Sequence, residues 1–345
     1  MKRLSALLCL VALMLIGGCT KQPLAKVNYS VAVVQTTGQS RNSLITYYNN
    51  QLKPVRKQHL SYPSLGSTWN NEVYSDEYVF LIPLGFMKSE KEHKVLGINR
   101  RSGSTMVYPI DRTSLQGIAV SPTHLYATSN LNGVNYITQL NRKNGNTREI
   151  ELPLDYVKLL MYHNGNLFVF STQLNNIEHN RLFVYNEKME LKREIDLAKI
   201  PPYIQKASFL NNKLIFTATS DPNQPIPAQL GIVKLDSWQV STFPLKEPVA
   251  NDILTYKNKL IIANTDVVEP RGHSISLVDL DSKEVTVHDL KSGVDRIALS
   301  GDTLYALGAD ELASYDISHD FALKKHINHI SAKGLGRSSL FVAKP

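Results

Sequence analysis

The sequence predicts an all-β fold, a β-propeller with seven blades of four antiparallel strands, closed by N- and C-terminal strands that share one blade. Three observations predict it: a stretch that reads as two consecutive hairpins, the return of that stretch at a blade-sized interval, and a last copy that stops halfway.

The two hairpins lie between Leu115 and Pro153. Gly117-Ile118-Ala119-Val120 is a short apolar strand, Ser121-Pro122-Thr123 turns it, and His124-Leu125-Tyr126-Ala127-Thr128 comes back, since proline and small polar residues between apolar runs are turn chemistry. Val134 to Leu140 makes a third strand and Asn141 to Asn146 turns again. In Thr147 to Leu152, Ile150 and Leu152 alternate with polar neighbours, the period of a half-buried strand. Four antiparallel strands are one propeller blade.

Beyond Tyr62 the same pattern returns, each copy offering a first strand, a tight turn and a second strand with a similar opening. The second strands are Tyr78-Val79-Phe80-Leu81, Leu125-Tyr126-Ala127, Leu167-Phe168-Val169-Phe170, Leu214-Ile215-Phe216, Leu260-Ile261-Ile262, Leu304-Tyr305-Ala306 and Leu340-Phe341-Val342. From Leu125 onward their leucines fall 36 to 47 residues apart, near the roughly 40 to 50 that a four-stranded blade needs. Asn164-Gly165, Asn211-Asn212, Lys257-Asn258 and Gly301-Asp302 fill the first turn, where a tight hairpin requires residues that tolerate positive φ. Third and fourth strands are read in Leu182 to Tyr185, Gly231 to Leu235, Ile275 to Leu280 and Glu284 to Asp289.

The final copy has room for two strands, Ala332 to Gly336 and Ser339 to Ala343, before Pro345. Leu44 to Tyr48 and Val55 to Leu60 at the other end supply its outer strands and so remove an open sheet edge. Val27 to Gln35 alternates like a strand as well; it is either an extra edge strand or the true second strand of the closing blade.

Gly117-Ile118-Ala119-Val120-Ser121-Pro122 followed by Leu125-Tyr126-Ala127-Thr128-Ser129-Asn130 resembles the YVTN repeat of bacterial surface and periplasmic β-propellers, a quinoprotein/YVTN-type fold. The resemblance implies an envelope propeller and names no substrate.

At the start of the chain, Lys2 and Arg3 precede an apolar run from Leu4 to Ile16, a secretory signal too short to remain as a comfortable membrane span. It ends in Ile16-Gly17-Gly18-Cys19, which resembles the lipobox of bacterial lipoproteins, with Ile16 in place of the usual leucine. The resemblance implies cleavage after Gly18 and a diacylglyceryl thioether on Cys19. Residues 1–18 are then signal peptide, 19–26 the lipidated cysteine and a short linker, and 27–345 the propeller. Thr20 is not the aspartate associated with inner-membrane retention, so the outer membrane is open to the protein in a host that has one. The expected location is extracytoplasmic and membrane-anchored through the lipid.

Cleavage also removes Cys9, leaving Cys19 as the sole cysteine of the two and the exported domain without a disulfide. Its stability then rests on buried apolar area, which a chain of this length supplies. The formal charge of +8 falls by two with Lys2 and Arg3. A basic exported protein favours an envelope protein or an anionic wall polymer as neighbour, although solubility alone explains the charge. Scattered basic residues outside the cell make nucleic acid a poor partner. The expected assembly is a monomer.

Catalytic signatures are missing: no G-x-S-x-G, H-E-x-x-H, Walker loop or G-x-G-x-x-G occurs, and Gly334-Leu335-Gly336 lacks the third glycine. His319, His326 and His329 are read as solvated rather than as metal ligands. Asp279 to Glu284 is oxygen-rich but lacks the glycine and ligand series of a calcium loop, so it is read as an outer turn. No metal and no cofactor is expected.

Aligned on the second-strand leucine, the copies carry Trp69, Gln116, Lys158, Gln205, Asn251 and Asp295 about nine residues earlier, with Lys333 near the last. The innermost strands line the channel of a propeller, so these side chains are expected to ring one mouth and to bind a sugar-like or peptide ligand by hydrogen bonds and stacking. A mouth that is polar because it holds water explains the same ring. Loops carrying Asn130, Asn132, Asn175, Asn176, His179, Asp221, Asn223, Asp266, Glu269, Arg271 and His273 are expected to overhang that face.

Two classes of function remain. One is a non-catalytic lipoprotein that binds an envelope protein, a glycan or a small ligand. The other is an envelope enzyme of lactonase, glycosidase or quinoprotein-dehydrogenase type, by fold analogy alone. An enzyme should focus carboxylates or a metal at the mouth, and Asp295 is the sole acid in the aligned ring, which favours binding.

Overall fold

The computed structural model describes residues 26–66, 72–75, 77–83, 93–131, 133–153, 155–173, 176–220, 226–265 and 272–344. Cys19, Trp69, Asn132, Asn175, Asp221, Asn223, Asp266, Glu269 and Arg271 lie outside them, as do the side chains of Lys158 and Asn176. Among the described residues no helix is long and apolar enough to cross a membrane.

Among the described residues twenty-eight strands, β1 to β28 in chain order, form seven four-stranded antiparallel sheets. Blades 1 to 6 each take four consecutive strands, opening with β4 (Val73–Ser75), β8 (Leu115–Val120), β12 (Asp155–His163), β16 (Tyr203–Leu210), β20 (Asp252–Tyr256) and β24 (Arg296–Ser300). Successive opening strands pack on one another and line the axis. Four antiparallel strands return the chain to its starting side, so every opening strand begins at the same mouth of the channel.

The anticipated turn residues hold the first hairpins. Asn164 and Gly165 sit at φ 47° and 75°, Asn211 and Asn212 at 48° and 56°, Lys257 at 52° and Gly301 at 57°, the left-handed region that a two-residue hairpin demands. Gly231 serves a different need: a Cβ there would lie 2.2 Å from the Phe216 ring, so the neighbouring strand accepts no side chain at that point.

The core is divided by the ring. Each interface between neighbouring blades holds one apolar cluster, such as Phe168, Phe170, Leu182, Leu214 and Phe216 between blades 3 and 4, or Leu210, Leu230, Ile253 and Leu260 between blades 4 and 5. The clusters continue around the ring without a gap. Each fully buried Leu, Ile or Phe contributes about 1.5–3 kcal/mol, which lets a ring without a disulfide hold together.

Blade 7 closes the ring with strands from both ends, and here the structure corrects the expected assignment. Its order from the axis outward is β28 (Gly336–Val342), β1 (Val31–Thr36), β2 (Ser43–Tyr48) and β3 (Pro54–Leu60). The C-terminus therefore gives one strand and the N-terminus three. Leu340-Phe341-Val342 is innermost rather than second, residues 332–335 form no strand, and Val31–Thr36 is the second strand. The physical reason is pairing capacity: β1 offers Ala32↔Phe341 on one edge and Ala32↔Tyr47 on the other, and all of its first five residues are buried. Tyr29, Tyr47 and Phe341 pack edge to face behind it, with ring centroids 4.9 to 6.4 Å apart. The exposed outermost strands β3 and β27 (Ala322–Asn328) carry Pro54, Lys57, Lys324 and Lys325, residues that discourage edge-to-edge pairing.

Candidate functional site: the axial channel

Several opening strands bulge at one level near the mouth where they begin. Pairing slips between Leu115 and Ile118 in β8, between Val157 and Leu159 in β12, and between Ile204 and Ala207 in β16. In blade 7, Gln35 pairs with Arg337 and Val34 with Ser339, leaving Ser338 out of the ladder. Hydroxyls at the bulges take up the freed backbone groups, from the neighbouring strand in blades 2 and 4 and from the bulged residue itself in blade 7. The N–H of Gly117 donates to Thr128 Oγ1 at 2.8 Å and that of Lys206 to Thr217 Oγ1 at 3.2 Å. The single proton of Ser338 Oγ is directed at the carbonyl of Leu65 at 2.7 Å, with that of Val34 at 3.2 Å. A bulge re-aims the side chains beyond it, and in β16 it places Lys206 against the channel.

Two ion pairs follow. Lys206 Nζ lies 3.4 Å from Asp252 Oδ1, with 9% and 5% of the two side chains exposed. Asp252 also accepts the N–H of Ile253 at 3.1 Å and that of Ile297, in blade 6, at 3.2 Å; one carboxylate thus joins three blades. Further round, Arg337 donates to Asp295 and to the carbonyl of Ala309 at 3.1 Å, while Asn251 Nδ2 donates to the Asp295 carbonyl at 3.3 Å. Burial pushes the Asp295 carboxyl above the usual carboxylate range, and the Arg337 guanidinium works against that shift.

The axis encloses a cavity of about 500 Å³, reaching from Glu72, Lys206 and Asp252 to Thr255, Leu299 and Val342. Tyr74 is 40% exposed, into this cavity. Its hydroxyl donates to the Leu340 carbonyl at 3.3 Å, and the Arg100 guanidinium lies 4.9 Å over its ring while donating to the Val342 carbonyl at 3.3 Å. Enclosure by the surrounding blades pushes the Tyr74 phenol well above its ordinary pKa, and the Glu72 charge adds to the shift. Glu72 Oε2 and, on the next blade, Gln116 Oε1 are buried with no hydrogen-bond partner among the described residues.

Of the residues expected at the mouth, Gln116 and Gln205 occupy equivalent bulge positions in β8 and β16, and Lys158 lies in the bulge of β12. Asn251 and Asp295 immediately precede β20 and β24 and meet through their hydrogen bond. Among the described side chains, the charges that line the channel are other residues: Lys206 and Asp252 follow Gln205 and Asn251 by one position, and Glu72 and Arg100, like the Tyr74 phenol, lie outside the expected ring. The sequence signal for Lys206 and Asp252 is a charge set inside or against an apolar strand. Arg100 reaches the channel from a turn after the third strand of blade 1 and leaves no such signal.

The three C-terminal histidines face separate carboxylates: His319 with Asp316, His326 with Glu311 and His329 with Asp310. Asp279 Oδ1 accepts the N–H groups of Asp281 and Ser282 at 3.0 and 3.1 Å, which makes its loop a side-chain-capped turn.

No family model matches the chain, and no curated sequence does. Solved structures do align with it, a β-propeller domain among them. A hypothetical selenium-binding protein from Sulfolobus tokodaii shares 10% identity at TM-score 0.62 over 94% of this chain and 95% of that one. Hydrazine synthase from Kuenenia stuttgartiensis shares 11% at TM-score 0.56 over 77% and 88%. The β-propeller domain of the Trilobed protease from Pyrococcus furiosus, described as having an open velcro topology, shares 11% at TM-score 0.52 over 74% and 81%. Identities this low establish the propeller fold and nothing about activity.

Proposed function

We propose that the chain is a lipid-anchored, extracytoplasmic propeller that binds an envelope protein, a glycan or a small ligand at the channel mouth where the opening strands begin. The observation that carries this reading is the concentration of bulged strands and buried ion pairs at that one mouth of the cavity, an arrangement that costs desolvation and is characteristic of recognition sites. The lipobox-like Ile16-Gly17-Gly18-Cys19 and the YVTN-like residues 117–130 support the envelope setting. Two experiments test it. Cys19→Ala should release the protein from the membrane fraction or stall its processing, because the thioether is the proposed attachment; unchanged fractionation and processing would remove the anchor. Pull-down from detergent-solubilised membranes should recover a partner that Trp69→Ala, Gln116→Ala or Gln205→Ala weakens, Trp69→Ala most, by about 2 kcal/mol or more as aromatic anchors do. Normal partner recovery by all three variants would move the interaction to the blade edges.

A further inference from the structure

The chain enters the ring on the side opposite the mouth. β1 runs antiparallel to β28, with Val31 paired to Val342 and Thr36 to Gly336, and β28 begins at the mouth as the other innermost strands do. Val31 therefore starts at the far end of the channel. The residues before it stay there: the N–H of Val27 donates to the carbonyl of Arg101 at 2.8 Å, in the turn after the third strand of blade 1, and that of Ala343 donates to the Ser30 carbonyl at 3.0 Å. The short linker of the lipoprotein reading, residues 20–26, spans on the order of 20 Å when extended. A lipid on Cys19 would thus bring the far face to the bilayer, while a tether of that reach leaves the tilt of the ring to be set by the surface itself.

The charge of that far face is uneven. Around the point of entry, in blades 7, 1 and 2, its turns and chain ends carry Lys26, Lys53, Arg101, Lys143 and Lys344, and the first four of these are exposed. Among the described residues of those turns and ends Glu77 is the sole acid, and Arg101 at 3.2 Å and Lys344 at 3.9 Å share it, one negative charge against two positive; Asp76 lies outside the described residues. The far turns of blades 5 and 6 instead set exposed Asp281, Asp302 and Asp320 among their lysines. Lysine and arginine clustered beside a lipid anchor are drawn to an anionic bilayer over roughly a Debye length, about 10 Å at 0.1 M salt. We propose that the far face of blades 7, 1 and 2 docks on anionic phospholipid headgroups, seating the propeller on the membrane that holds its lipid and turning the channel mouth to the opposite, aqueous side. This inference rests on the lipid-anchored reading above and adds to it which face meets the bilayer. An anionic wall polymer would match the charge, but only the bilayer is brought to this sector by the tether.

The test uses the full-length processed protein, reconstituted in vesicles that carry an acceptor dye on a lipid headgroup. Under the lipoprotein reading Cys9 leaves with the signal peptide and Cys19 is blocked, so one introduced thiol takes the donor dye: Gln51→Cys in the far turn of blade 7, or Thr113→Cys ahead of β8 at the mouth, both at exposed positions. A strand's length, roughly 20–25 Å, separates the two levels. On phosphatidylcholine vesicles with about one third phosphatidylglycerol, energy transfer from position 51 should exceed that from position 113 by about twofold or more. That excess should be lost on phosphatidylcholine alone, in about 0.5 M salt, where the Debye length is roughly 4 Å, and in the double variant Lys53→Glu/Lys143→Glu, whose melting temperature should be unchanged because both side chains are exposed. Equal transfer from the two positions, greater transfer from position 113, or an excess indifferent to lipid charge and salt would overturn the proposal without recourse to the charge variant. Binding of soluble poly-glutamate to this face with no response to phosphatidylglycerol would overturn it too and give the face to an anionic wall polymer. A purified protein without lipid on Cys19 would remove the anchor reading and this inference with it, whereas a lipidated protein with equal transfer overturns the docking alone.

Discussion

The joint between blades 4 and 5 and the joint between blades 6 and 7 solve one problem in two ways. Both place a carboxylate against a cation beside the channel mouth, Asp252 with Lys206 and Asp295 with Arg337. At the first joint Asp252 accepts backbone N–H groups from blades 5 and 6, and Ser208 and Thr255 hydroxyls meet at 2.8 Å further along the same strands. At the second, burial raises the Asp295 carboxyl in spite of Arg337, and blade 7 is held by β1–β28 pairing and by apolar residues such as Val31, Leu307, Leu312 and Leu340. The contrast shows when a buried carboxylate stabilises an interface: its lost water must be replaced by several directed N–H groups, since one counter-charge repays only part of the desolvation.

The largest effect should come from removing residues 336–345. That deletion takes β28 from the second joint and leaves the inner edge of β1 unpaired; the protein should aggregate or lose its cooperative melting transition. A truncated chain that keeps its melting temperature would show that ring closure is dispensable. Next, Asp252→Ala strands the buried Lys206 charge and removes three interactions, which should cost about 3–5 kcal/mol in denaturant unfolding. Asp295→Ala should cost about 1–3 kcal/mol, because its carboxylate is already poorly solvated. The reverse ranking would break the comparison.

A smaller effect is expected at high pH. Burial pushes the Tyr47 phenol up to about 12, above the value near 10 in an unfolded chain. Folding therefore favours the protonated phenol, and this contribution to stability is complete below about pH 10 and lost as pH rises through about 12. Ultraviolet titration of phenolate should show a late-ionising tyrosine that Tyr47→Phe removes, together with a shallower alkaline loss of stability. A normal phenol titration would mean that the Tyr29–Tyr47–Phe341 cluster does not seal blade 7.

The smallest effect should be at the partly exposed Arg112–Glu149 pair, where Arg112 also lies 3.7 Å over the Tyr136 ring. Hydrogen bonding from Arg112 holds the Glu149 carboxyl below its usual range, so its contribution is present above about pH 4.3 and lost as pH falls through the lowered value. Glu149→Gln should cost less than about 1 kcal/mol at neutral pH. A cost equal to that of Asp252→Ala would mean that burial is not what separates strong pairs from weak ones here.

The sequence alone determined the blade count and the hairpin turns. Those are local properties: residues such as Asn164-Gly165 and Asn211-Asn212 fix positive φ where they stand, and period-two patterning marks each strand without reference to its neighbours. Only the tertiary structure decided which slot the terminal strands fill. Leu340 resembles a second-strand leucine, and the short 36-residue interval before it is the trace of its true place one strand nearer the axis, but β1 wins the second slot through two pairing partners remote in sequence. The tertiary structure also decided which charges face the channel. Successive strand residues point to opposite faces, so a bulge or a one-residue offset exchanges Gln205 for Lys206 and Asn251 for Asp252, and Arg100 arrives from a turn whose position depends on the whole of blade 1.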